Sequence, residues 1–233
     1  MQCLESPRKS RGLVVVKKPD RKPSRIDRLD LWLSTSRKID GLWVGTRESE
    51  PHPALRRVEE ALQLIKRHDA LHYSRITRHL DRIWVHLIPD SGAHYQSSLN
   101  ACIIDERHVL GESMTIERIA STIVHETTHA RLDGWGIIYV EERRIRIEAI
   151  CLRRELHFLA RLPDSESLRE EIVRTLEWFT TNHDYYSDAS FQEREDRGQF
   201  EILRYLGAPE WLIRFLMRIV RRRRLRAASQ ARP

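Results

Sequence analysis

His125 and His129, four residues apart with Glu126 directly after the first, are the residues whose types and spacing bear most on chemistry. On a helix, positions i and i+4 share one face about one turn apart, so both imidazoles can grip a single ion. Imidazole nitrogen is a favoured zinc ligand. Glu126 stands beside the first ligand, close enough to reach a water held by the ion without binding the ion itself. Zinc lowers the pKa of such a water toward neutrality, and a carboxylate can take its proton. The spacing therefore implies a hydrolytic division of labour: His125 and His129 hold one zinc ion, and Glu126 acts as general base.

A hydrolytic zinc needs a third protein ligand and an open fourth position. The segment that follows offers Glu141, Glu142, Glu148 and Glu155. Glu141 and Glu142 lie close to the turn at Gly134 and Gly136. Glu148 comes 18 intervening residues after His129, far enough for a second helix to return beside the first. Glu148 is the expected third ligand.

These side chains need a helix in the right phase. Thr115 can cap its N-terminus, and Glu117 lies in the first turn, where the helix dipole favours an acid. Ile116, Ile119, Ala120, Ile123, Thr127 and Ala130 recur at i, i+3, i+4 spacing and form a stripe for the core. Gly134 and Gly136 end the helix. A second helix is expected from about Tyr139 to Leu162, stopped by Pro163. A third runs from caps at Asp164 to Ser167 as far as Phe179. The polar stretch Thr180 to Ser190 precedes a helix near Phe191 to Leu206, and Pro209 suits the first turn of a last helix. Before the histidines, residues 54–68 read as a helix. Residues 83–88 and Ala101 to Asp105 read as strands. The fold class is α+β, mostly helical with a small sheet.

From about Asn100 to Arg154 the chain resembles the gluzincin group of zinc metallopeptidases, which includes thermolysin-like enzymes and a large aminopeptidase family. Thr122-Ile-Val-His-Glu-Thr-Thr-His-Ala130 is similar to their active-site helix, and Ile147-Glu-Ala-Ile150 to the segment bearing their glutamate ligand. The resemblance implies a zincin-like catalytic core, with His125, His129 and Glu148 as zinc ligands and Glu126 as general base. It implies a peptide or protein substrate, bound by β-addition along an edge strand at Asn100 to Asp105. Tyr139, nine residues before Glu148, has the offset of a tyrosine that stabilises the oxyanion in thermolysin-like enzymes. His183 is a candidate downstream transition-state histidine, and Tyr185 and Tyr186 share its status. Two departures stand out. Leu152 occupies the position where thermolysin-like enzymes carry a supporting acid, and no motif for gripping a free N-terminus is apparent. Cys151, three residues after Glu148, reads as a packing cysteine close to the metal.

Charge divides the chain. Residues 1–28 carry nine Lys or Arg against three acids, and residues 211–233 carry eight Arg and no acid. With +7 overall, the body between them is acidic, which argues against a basic nucleic-acid-binding surface on the folded part. Four segments follow: a basic flexible tail over 1–28, the catalytic core over 29–162, a helical part over 163–210, and a basic amphipathic helix with an Arg-rich tail over 211–233. The apolar face of that last helix (Trp211, Leu212, Phe215, Leu216, Ile219, Val220) is expected to dock on the core. The alternative is a non-catalytic protein whose basic ends touch an anionic surface, either membrane or nucleic acid. Three cysteines and no signal-like N-terminus point to a reducing, cytoplasmic setting, with peripheral membrane association as a further option.

Overall fold

Asp40 and Gly41 both take positive φ, 49° and 88°. They close a two-residue hairpin between β1 (Thr35–Ile39) and β2 (Leu42–Thr46), the geometry that matches strand twist. The computed structural model describes residues 22–48, 52–89, 92–179 and 181–230, the last ten as backbone. Three further strands, β3 (Arg82–His86), β4 (Ala93–Gln96) and β5 (Ala101–Asp105), complete a sheet of order β1-β2-β3-β5-β4. β2, β3 and β5 run parallel, and the outer strands β1 and β4 are antiparallel to their neighbours. Among the described residues, nine α-helices accompany this sheet. The α+β, mostly helical architecture is thus as read from the sequence.

Every residue of β5 is buried, as both faces of the central sheet are covered. One face meets α2 (Pro53–His68), α3 (Ala70–His79) and α5 (Ile116–Gly134), with Leu55, Leu62, Ile76, Ile83, Ile119 and Ile123 in a single cluster. The other face carries a smaller cluster of Trp84, Ile88, Leu99 and Ile103, closed by Leu31 of α1 (Arg25–Leu33) and by Trp43. Short α4 (Glu106–Leu110) leads from β5 toward α5.

Two expectations need correction. Residues 25–28 belong to α1, because Ser24 and Asp27 form a reciprocal capping box that starts a helix there. Residues 1–21 of the expected basic tail lie outside the described residues. The strand at Ala101–Asp105 is not the sheet edge, since β5 pairs with β3 on one side and β4 on the other. The edge is β4, which folds back through a turn that Asn100 completes at φ 46°.

Beyond α5 the chain is helical: α6 (Glu141–Leu159), α7 (Glu166–Phe179), a 3-10 turn at His183–Tyr186, α8 (Asp188–Tyr205) and α9 (Glu210–Gln230). α8 reaches back over the β3–β4 connection at Gly198, where a Cβ would overlap the Pro89 carbonyl. Only backbone fits between them. Gly198→Ala is expected to cost about 1–3 kcal/mol, the usual price of overpacking, read as a lower Tm with faster hydrogen exchange in α8. An unchanged Tm would show that α8 does not seat on Pro89.

The face of α9 expected to dock does not bury as read: Trp211 and Phe215 are exposed and Leu212, Leu216, Ile219 and Val220 half-buried, whereas Ile213, outside that face, is fully buried. Residues 231–233 lie outside the described part. No described helix is long and apolar enough to cross a membrane.

Candidate metal centre

α5 is built as its sequence requires. The Thr115 side chain accepts from the Arg118 amide as N-cap, and Ile119, Ala120, Ile123 and Val124 are buried. The two threonines between the histidines are buried too. Each returns its hydroxyl to the carbonyl four residues back, Thr127 to Ile123 at 2.7 Å and Thr128 to Val124 at 2.9 Å. Neither hydroxyl is therefore left unpaired in the core. Gly136, at φ 76°, turns the chain after α5, and α6 then packs along it.

This pairing brings His125, His129 and Glu148 together. His125 Nε2 lies 3.1 Å from His129 Nε2 and 3.2 Å from Glu148 Oε2, and His129 Nε2 lies 3.4 Å from Glu148 Oε1. Donors held by one tetrahedral zinc at about 2.0–2.1 Å would be spaced by about 3.3 Å. The three separations bracket that value, the two to Glu148 being made by its two different carboxylate oxygens. Two imidazoles and a carboxylate match zinc's preferred nitrogen and oxygen donors, so the residues fit the ion.

The electrostatics point the same way. Burial disfavours a charged His125, yet Cys151, Glu155 and Glu148 outweigh it and hold its pKa well above normal. Burial opposes charge on His129 as well, but Cys151 and Glu148 raise it to about 10. Glu148 is penalised by burial but pulled well below the usual carboxylate range by both histidines. The acidic groups around the two imidazoles thus make this buried pocket one that favours positive charge.

Glu126 is 5% exposed, and its Oε2 is buried without a hydrogen-bond partner. Burial raises its pKa, with His125 and His129 pulling the other way. This orphaned oxygen belongs to a residue lining the same cavity of about 630 Å³ as the three donors, a volume suited to a sizeable ligand. The sheet edge at Ala93–Tyr95 forms one wall, and Tyr139, Tyr186 and Phe191 form another. No family model, curated protein or solved structure matches this chain.

Tyr139 sits where its offset suggested, within the site. Its hydroxyl donates to Glu148 Oε1 at 2.5 Å, and its ring meets His129 edge-on. His183 does not join: it is exposed and absent from the cavity lining. The two tyrosines that share its candidacy do reach the cavity: Tyr186 is buried there, and the more exposed Tyr185 also lines it.

Glu155, weighed as a ligand from sequence, has a different place. Its Oε1 lies 2.5 Å from His125 Nδ1, and its Oε2 accepts from the Ser121 hydroxyl at 2.5 Å. A carboxylate there fixes the imidazole so that Nε2 faces the donors, and strengthens it as a ligand. It fills the supporting role that Leu152, buried in the core, cannot. The missed signal was spacing: Glu155 follows Glu148 by seven residues, on the same helical face. Glu155→Ala is expected to lower zinc affinity about 10–100-fold, measured by competition with a metal indicator. Undiminished affinity would remove Glu155 from the centre.

Proposed function

We propose that this chain is a zinc-dependent hydrolase of gluzincin type, with a zincin-like core, that cleaves peptide bonds. The observation that carries the reading is the near-equal spacing of three zinc-type donors in one cavity with an unpartnered general-base carboxylate. His125, His129 and Glu148 would hold the ion. When bound there, zinc supplies Lewis acidity, which makes water a nucleophile near neutral pH and stabilises charge on a carbonyl oxygen. Glu126 takes the proton from the attacking water and returns it to the leaving amine, and the raised pKa of its buried carboxyl suits both transfers. The Tyr139 hydroxyl, which donates to Glu148 Oε1 here, becomes a second donor for the developing oxyanion once it turns from that carboxylate to the carbonyl oxygen. The outer edge of β4 offers backbone groups to an extended substrate, which is how a peptide adds to a sheet.

Metal analysis tests the reading directly. The purified chain should contain about one zinc. A folded chain that neither carries zinc nor takes it up on addition would overturn it.

A second, compatible reading concerns the C-terminal helix. Exposed Trp211 and Phe215 share the start of α9 with Arg214 and Arg218, and the Arg run follows. Aromatic rings beside cationic side chains suit the surface of an anionic bilayer. Sedimentation with phosphatidylserine vesicles, but not with neutral ones, and loss of that binding on deleting residues 221–233 would support it. Equal binding of the truncated chain would remove it.

A further inference from the structure

Cys151 lies on α6 three residues after Glu148, so the two share a helical face. It is fully buried and packs with Leu132 and Ile147, which alone would explain a small apolar residue. Its sulfur does more than fill space. Sγ and one nitrogen from each of His125 and His129 all lie within 4.8 Å of one another. The Cys151 sulfur on α6 thus completes one close set with the two imidazoles of α5, and Glu148 of α6 meets the same two imidazoles through its carboxylate oxygens.

We propose that the resting metal centre has four protein donors, with the Cys151 sulfur joining His125, His129 and Glu148. This rests on the metal-site reading above and deepens it. Thiolate is among the strongest zinc donors, bonding at about 2.3 Å. On coordination the S–H bond breaks, a sulfur–metal bond forms and the proton passes to solvent. No electrons are transferred. A site with four protein ligands has no position for water, whereas a hydrolytic site keeps one open. With Cys151 bound, the hydrolysis proposed above therefore requires the sulfur to leave the metal.

Cobalt(II) substitution of the full chain separates the possibilities. Cobalt shows visible ligand-field bands wherever it is bound in a low-symmetry site, and a near-ultraviolet charge-transfer band only when sulfur is a ligand. The native chain should take up one cobalt and show both. Cys151→Ala should keep the visible bands and lose the charge-transfer band, while Cys102→Ala, altering the buried cysteine on β5, should keep both. Visible bands without charge transfer in the native chain overturn the fourth donor and leave the three-ligand centre standing. A charge-transfer band that survives Cys151→Ala, or vanishes in a folded Cys102→Ala, also overturns it. Failure of the native chain to bind cobalt overturns the metal-site reading along with it.

Discussion

Glu126→Gln is expected to keep its zinc and to hydrolyse peptides about 10²–10⁴-fold more slowly than the native chain, the usual worth of a general acid–base group. The substitution is nearly isosteric, so the cavity should keep its shape. Glu126 Oε2 has no hydrogen bond to lose, so the helix should keep its stability. What changes is basicity, because an amide cannot accept the proton that water must give up. The comparison needs three measurements on both proteins: zinc content, Tm, and turnover on substrates found by profiling a diverse peptide library. Matched zinc and Tm with collapsed turnover assigns the proton transfer to Glu126. Full turnover in the Gln protein would leave the carboxylate without a catalytic role.

His129→Ala should act one step earlier, on the ion itself. The histidine supplies one of three donors spaced 3.1–3.4 Å apart, and a methyl group in its place offers no lone pair. Zinc should be lost on exhaustive dialysis that leaves the native chain loaded, and activity should go with it. The fold should survive, because the α5 stripe of Ile119, Ala120 and Ile123 packs in the main core cluster, of which His129 is no member. Circular dichroism would separate the two outcomes. Retention of a full zinc equivalent by folded His129→Ala would mean that the ion binds elsewhere.

The parts of the centre that could be read in advance are those governed by helical period. His125 and His129 at i, i+4, the cap at Thr115 and the apolar stripe all follow from one repeat, and they stand as read. Glu148 required a long-range guess, that the turn after Gly134 folds α6 back on α5, and the two helices do pack together. Glu155 obeys the same period but was weighed only as a ligand, because spacing says which face a carboxylate occupies and not which atom it will meet. The strands were harder. Asp40-Gly41 is a strong hairpin signal, but β1 reads Thr-Ser-Arg-Lys-Ile, with little apolar alternation to reveal a strand. β4 is four residues of Ala-His-Tyr-Gln, too short to show a period. Its place at the sheet edge is set by pairing with β5, which is a tertiary fact. For a related reason the sequence does not rank His183, Tyr185 and Tyr186: a polar loop carries no periodicity, so nothing local says that the two tyrosines line the cavity and His183 does not.

The packing of α5 against α6 has a consequence for folding. His125 and Glu148 are 23 positions apart in the chain, and the proposed ion bridging them would close a loop much as a disulfide does, but reversibly. Such a cross-link stabilises the folded state by mass action, about 4 kcal/mol when free zinc stands a thousandfold above its dissociation constant. Chelation should therefore lower Tm as well as abolish activity, and Tm should climb with the logarithm of free zinc. In a cell, the lifetime of this chain would then track the zinc supply, the apolar packing of α5 on α6 holding the fold by itself when the metal is scarce and the ion adding to it when plentiful.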